Sequence, residues 1–398
     1  MERRLPLHDY HARTAAQMIK GGGEFLFPAM YTSTADEHLA VRANAGMQDL
    51  SSMGEVDIKG PGAERLLHRL MVNEVKDLVP GQMRYSTLCN EHGGVIDDIT
   101  VYKFSDEHFM LVTSSAPRTK TVAWLAEHAG RHAAYVTDIT AGIALPVVQG
   151  PRSRDVLKAV VREADQLDAL KYFRFMTATI GETRVVLSRS GYTGELGYEL
   201  YTPAEEAMSV WQAVLAAGKD FGLLPYGALA MQSLRVEKGY PLYGVDLSEE
   251  HTPFHVGLER WIAFGKRDFI GRDALLRVQE QGVSERWAGL VVDSPTPLKA
   301  GDRLFAVQDV SVIKDDLIEG GPDDGTPEDA LTHSGLEVGR VTYSIKGHSV
   351  GKMLALGYVR VSHAYPGARL AVSVAGRIKQ ATVAALPFFD PGNTRLKG

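Results

Sequence analysis

Two neighbouring carboxylates, Asp97 and Asp98, interrupt an otherwise apolar, β-prone run in residues 85–102, YSTLCNEHGGVIDDITVY. Residues 85–89 alternate as a strand, and residues 90–94, NEHGG, supply turn chemistry because glycine takes positive φ without steric cost. Val95, Ile96, Ile99, Val101 and Tyr102 make a second strand that carries both aspartates. Neighbours on a strand point to opposite faces, so one carboxylate can enter a cavity while the other meets solvent or a backbone partner. A carboxylate on the inner face of an apolar strand is costly without a partner. Binding of a polar ligand, or acid/base work, is therefore one reading of the pair. The other is that Asp97 caps the hairpin and Asp98 is merely exposed.

The elements around this hairpin have an α+β texture. A helix is expected over 36–48 with Asp36 as its N-cap, and another over 61–73 with Pro61 in its first turn. A strand at 55–60 lies between them, and further segments follow at 109–113 (strand) and 118–128 (helix). The pattern returns after residue 145: strand 147–150, helix 153–164, strands 183–188 and 198–201, helix 204–218. Two similar α+β subdomains in succession are the expectation for residues 1–270. Residues 271–398 read as short strands at 287–292, 339–343, 353–359, 369–374 and 378–386, an antiparallel β-barrel or jelly roll. Its segment 314–329, KDDLIEGGPDDGTPED, reads as an acidic surface loop and lacks the register of a calcium loop.

Composition narrows the function classes. A chain of 398 residues with 44% hydrophobic and 23% charged residues has an ordinary soluble profile, with room for two or three domains. The net charge of −6 argues against a nucleic-acid partner. A single cysteine, Cys89, excludes an internal disulfide and cysteine-rich metal sites, and its place in the hairpin suits packing better than reactivity. No run is apolar enough for a membrane span or a signal peptide, so no membrane role and a cytoplasmic location are expected. Walker and GxGxxG loops are absent, and no metal site is expected.

The hairpin resembles the folate-binding hairpin of the glycine cleavage T-protein (aminomethyltransferase) family, which includes folate-dependent demethylases and the folate domains of dimethylglycine- and sarcosine-oxidising enzymes. Other landmarks run in the family's order. Glu37, His38, Ala40, Val41 and Arg42 are similar to its EHxAVR; Asp49, Ser51, Met53 and Gly54 to DxSxMG; and Gln149, Gly150 and Pro151 to QGP. Residues 191–199 are similar to GYTGExGxE, residues 268–271 to DFIG, and Leu386, Pro387 and Phe388 to the family's close.

The resemblance implies a site for tetrahydrofolate. Such a flat ring with a polar edge and an acidic tail needs apolar walls, a carboxylate for the ring N–H groups, and cationic or amide groups for the tail. By resemblance Asp98 is the catalytic carboxylate, beside the folate nitrogen that accepts the carbon, where a fixed charge stabilises positive character in the transferred unit. Asp97 is then structural. Glu199 pairs with the ring edge, Tyr85 and Tyr192 line the pocket, and Met53 and Trp261 pack near the ring. Tyr31 and Ser52 lie on the substrate side. Residues 21–23, three glycines, suit either a loop near ligand or a plain linker.

Several positions depart from the T-protein pattern. Ser52 stands where histidine is usual, Ser114 where asparagine is usual among the folate-site residues, and Met231 where the GARD segment has arginine. Arg235 is kept, within a spelling, SLRVEKG, closer to the demethylase and dimethylglycine dehydrogenase branches; it either meets the folate tail or pairs with Glu237 or an interior carboxylate. These departures favour a folate-dependent methyl or methylene transferase acting on a small O-, N- or S-linked donor, of demethylase type. The alternative is an orthodox aminomethyltransferase, which takes its carbon from a lipoyl carrier protein and would show a basic docking groove. A further alternative is a non-catalytic folate-binding protein. Such relatives carry a short cysteine motif, absent here.

Overall fold

The chain builds two large facing sheets, a small N-terminal sheet and a C-terminal barrel. The computed structural model describes residues 3–21, 25–306 and 335–397. A small sheet is formed by β1 (Arg3–Arg4), β2 (Gln17–Gly21) and β3 (Phe25–Met30), with helix α1 (His8–Thr14) between the first two. The first large sheet has the order β6-β7-β8-β5-β9, from β5 (Gly54–Lys59), β6 (Gln82–Cys89), β7 (Val95–Ser105), β8 (His108–Thr113) and β9 (Tyr135–Asp138). The second runs β12-β13-β14-β11-β4-β15, with β4 (Ala45–Asp49), β11 (Pro146–Gln149), β12 (Phe175–Ile180), β13 (Thr183–Ser188), β14 (Gly197–Pro203) and β15 (Leu223–Pro225); β10 (Ile143–Ala144) pairs with β14. The C-terminal strands close a six-stranded barrel: β16 (Glu285–Val292), β17 (Arg303–Ala306), β18 (Leu336–Gly347), β19 (Lys352–Arg360), β20 (Arg369–Val374) and β21 (Arg377–Ala384).

Alternation along β7 sorts its side chains. Ile99 and Val101 point into a core with Leu66, Leu67 and Leu70 of α3 (Ala63–Leu70) and Leu125 of α4 (Arg118–Ala129). Tyr102 points the other way, into an inter-sheet layer with Met83, Met110 and Val112 of its own sheet and Val147, Phe175 and Tyr201 of the second. Behind the second sheet, Val210, Trp211 and Val214 of α6 (Ala207–Gly218) complete a third layer. The inter-sheet layer therefore lies between sheets that are each backed by helices on their far side.

The structure revises several expected elements. Helix α2 is Thr34–Ala43, capped by Ser33, whose side chain accepts from Asp36 N; Asp36 is not the cap. The expected continuation to 48 is instead strand β4, held antiparallel to β11 and parallel to β15. Residues 49–54 thus carry the chain from the second sheet to the first. The helix expected over 153–164 is only Ser153–Lys158 (α5), with a separate 3-10 turn at Ala164–Gln166. Strand β12 and helices α7 (Ala228–Lys238) and α8 (Arg272–Gln281) had no counterpart in the pattern reading. The acidic segment 314–329 and residues 22–24 lie outside the described residues. No described helix is long and apolar enough to cross a membrane.

Candidate functional site

The hairpin delivers Asp97 and Asp98 to different places. Gly93 takes φ +82° in its turn, and Asp98 pairs across the ladder with Thr87. Asp97 is fully buried on the helix side, where it accepts from Thr121 Oγ1 of α4 at 2.8 Å and from Ser114 N at 3.4 Å. Burial, and then the neighbouring Asp98, push its carboxyl well above the usual range. Asp98 lies on the opposite face and keeps some exposure. Its Oδ2 accepts from Tyr85 Oη at 3.1 Å and its Oδ1 from Ser114 Oγ at 3.1 Å. One donor on each oxygen fixes the plane of the group. Burial raises the Asp98 carboxyl above its ordinary value, and the two hydroxyls pull it partly back.

Aromatic rings surround this carboxylate. Trp261 meets Tyr85 edge to face at 6.0 Å between centroids. Tyr192 stacks on Tyr240 at 5.5 Å. The Tyr85 phenol is pushed well up by burial, then by Asp98, with Tyr192 contributing. Met53 packs against the inter-sheet layer beside Tyr102.

Across the layer stands Glu199 on β14. Its Oε2 accepts from Tyr102 Oη at 2.9 Å, Tyr201 Oη at 3.0 Å and Ser188 Oγ at 3.1 Å. Burial raises this carboxyl and the hydroxyls oppose the rise. The strand reaches this position because Gln149 fits against two glycines of residues 191–197. A Cβ on Gly191 or Gly197 would come within 1.9 Å or 2.3 Å of the Gln149 amide. The QGP and GYTGExG motifs are thus two halves of one packing contact.

The remaining expected residues divide. Ser114 sits in the Asp98 network; Ser52 instead pairs with Ser115, Oγ to Oγ 2.9 Å. The Tyr31 hydroxyl belongs to a separate chain, with His11 Nδ1 at 2.8 Å and His11 Nε2 to Asp49 Oδ2 at 2.9 Å. Arg235 takes the interior-carboxylate alternative: it is fully buried, its Nη1 is 2.5 Å from Asp246 Oδ2, and it lies over the Tyr343 ring. Its Nη2 is buried with no partner among the described residues. Cys89 is buried and its thiol is pushed up to about 12 by burial.

Sequence reasoning missed four groups. Tyr102 and Tyr201 follow Asp98 and Glu199 at even spacing on their strands, so alternation alone would have put them on the same faces. Ser188 had no signal. Glu55 on β5 is fully buried with neither carboxylate oxygen partnered among the described residues, and burial holds it well above the usual carboxylate range.

This arrangement can be set beside known proteins. The GCVT N-terminal domain model matches residues 7–266, and the glycine cleavage T-protein C-terminal barrel domain model matches residues 318–390. The chain belongs to the glycine cleavage T-protein family. Several relatives match over nearly their whole length. A protein named aminomethyltransferase from Halothermothrix orenii is 34% identical over 97% of this chain and 99% of its own. Another, from Streptomyces coelicolor, is 35% identical over 97% of each chain. The crystal structure of glycine cleavage system aminomethyltransferase T from Bartonella henselae superposes with a TM-score of 0.84 at 27% identity, covering 98% of this chain and 99% of that one.

Proposed function

We propose that the protein is a tetrahydrofolate-dependent one-carbon transferase of the aminomethyltransferase type, with folate as a substrate. The observation that carries this reading is Asp98, clamped by Tyr85 and Ser114 and facing, across the sheet interface, the hydroxyl-ringed Glu199. Bound folate would supply the nitrogen that takes up the carbon. Glu199 would accept from the N–H edge of its ring, with Tyr85, Tyr192 and Trp261 as walls. The orphaned Nη2 of Arg235 is a spare donor of the kind a folate carbonyl or carboxylate needs, so the residues present fit this ligand. Asp98, whose carboxyl burial raises above its ordinary value, would orient the accepting amine, offset positive charge and take up its proton.

The relatives' shared name, over almost the full chain, favours an aminomethyl donor over the demethylase-type chemistry suggested by Ser52, Ser114 and Met231. One observation keeps a free small-molecule donor as the second reading: a Ser52–Ser115 hydroxyl pair occupies the place where a histidine is expected. The test is incubation of the purified protein with tetrahydrofolate and either aminomethylated lipoyl carrier protein or a panel of methoxyaromatics, methylated amines and sulfonium compounds. Mass spectrometry reads the folate product. Turnover with the carrier alone supports the aminomethyl reading. Turnover with a panel member and not the carrier replaces it with the second. No folate product from any donor removes the transferase assignment.

A further inference from the structure

The Glu199 cage has a form that catalysis at Asp98 does not by itself require. We propose that Tyr102, Tyr201 and Ser188 are positioning residues for folate: their hydroxyls fix Glu199 as an oriented hydrogen-bond acceptor for the ligand. This rests on the folate reading above and deepens it.

All three hydroxyls converge on one oxygen, Oε2, at 2.9, 3.0 and 3.1 Å. They also touch one another: Tyr102 Oη lies 2.8 Å from Tyr201 Oη and 3.1 Å from Ser188 Oγ. Each hydroxyl has one proton, so the cluster shares those protons between the carboxylate and its own internal contacts. Tyr102, Tyr201 and Ser188 are buried, and Glu199 is the most exposed of the four. The cage therefore sits behind the carboxylate.

The cage also joins the two halves of the site. Tyr102 comes from β7, four residues beyond Asp98 and on the same face; the other two come from β13 and β14 of the opposite sheet. The strand that holds Asp98 thus also sets the acceptor on the opposite sheet. The donors are all neutral. A cation would satisfy Glu199 and compete for it, whereas hydroxyls orient it and leave its charge to an incoming N–H.

A purely structural bridge between sheets is the competing role, and pH separates the two. Burial raises the Glu199 carboxyl, and hydrogen bonds from Tyr102, Tyr201, Ser188 and Ser190 lower it. The Glu199 charge bears in turn on Glu55 of β5, Tyr172 and Tyr226, each of them pushed up chiefly by burial. None of these changes in a cage variant. Removing a cage hydroxyl moves the Glu199 carboxyl upward, so the acceptor form is lost at a higher pH than in the unmodified protein.

The experiment is calorimetric titration of the full chain with 5-formyl-tetrahydrofolate between about pH 6 and about pH 9, for the unmodified protein, Tyr102→Phe and Tyr201→Phe. Both substitutions keep the ring in the inter-sheet layer. The expected result is affinity weakened about tenfold at the acid end and restored to within about twofold at the alkaline end. Weakening by the same factor at every pH, or unchanged affinity throughout, overturns the proposal. Ser188→Ala reads the same shift should Tyr102→Phe fail to fold. Absence of binding by the unmodified protein at every pH sinks the folate reading itself, which is a separate failure visible before any variant is tested.

Discussion

Two groups of buried carboxylates in this molecule are solved in opposite ways. In the first, Arg42 of α2 bonds Glu195 through Nη1 at 2.9 Å and Glu237 of α7 through Nη2 at 3.0 Å. Glu237 also accepts from Ser349 N of the barrel at 2.7 Å, while Arg395 near the C-terminus takes Glu195 at 2.6 Å. Burial alone would raise Glu237, but the His38 hydrogen bond and the His38 and Arg42 charges outweigh it and hold the carboxyl at about 2. In the second group, Asp98 and Glu199 have hydroxyl partners and no cation in hydrogen-bond contact among the described residues, and burial leaves both raised. A carboxylate neutralised by a cation is a strut: its charge is spent on joining helix, barrel and terminus. A carboxylate ringed by hydroxyls is oriented but still has its charge to give to a ligand.

The largest effect should come from breaking the strut. Glu237→Gln leaves Arg42 and His38 facing a neutral group, and loss of a buried pair member costs about 3–5 kcal/mol. The linkage agrees. A carboxyl lowered from the ordinary glutamate range to about 2 contributes roughly 3 kcal/mol above its unfolded pKa, and that stability is lost as pH falls through the folded one. Denaturant unfolding should therefore show the difference between unmodified and Gln chains at pH 7 and see it shrink below about pH 4. A constant difference across that range contradicts the strut reading.

Asp98→Asn should do the reverse. A carboxyl whose folded pKa is raised contributes stability below its unfolded pKa and loses it as pH rises through the folded one. At neutral pH the Asn chain should be as stable as the original or slightly more so. Folate turnover should fall by about two powers of ten or more, because a pre-organised charge is gone. Full turnover in that variant removes Asp98 from the catalytic role.

The contrast was only half legible in the sequence. Asp98 and Glu199 could be found because a strand has a period of two and their surroundings matched family motifs. The motif letters of the strut were equally visible, but their partners were not: Arg42 finds Glu195 and Glu237 across 153 and 195 residues. Tyr102 and Tyr201, 99 residues apart, meet only because the two sheets face each other. Strand β4, Ala-Gly-Met-Gln-Asp, has no β-branched residue to announce it. It is a strand because β11 and β15 pair with its two edges, a tertiary override of local preference. Ser33 lost the cap reading to Asp36 because both are good caps and only the backbone turn decides between them.

A milder change sharpens the site side of the comparison. Tyr85→Phe removes one of the two hydroxyls that hold Asp98 while keeping the ring against Trp261. Because that hydrogen bond pulls the raised carboxyl down, its loss should move the acid limb of the pH–rate profile upward and slow turnover about tenfold near neutrality. A uniform slowing with no movement of the limb would mean that Tyr85 acts as a wall and not through Asp98.

The smallest effect is expected at Ser52. Its hydroxyl is tied to Ser115, one residue beyond the Ser114 that holds Asp98, so it stands next to the site without bonding either carboxylate. Ser52→Ala removes one neutral, part-buried hydrogen bond, worth about 1 kcal/mol, and leaves the Asp98 donors in place. Folate affinity should be unchanged and turnover with a lipoyl-borne donor should drop by less than about threefold. If the donor is a small molecule seated on the Ser52–Ser115 pair, the same variant raises the KM for that donor and leaves KM for folate untouched. Measuring the two KM values in one preparation thus tells whether this hydroxyl pair is only packing beside Asp98 or is the surface that receives the carbon donor.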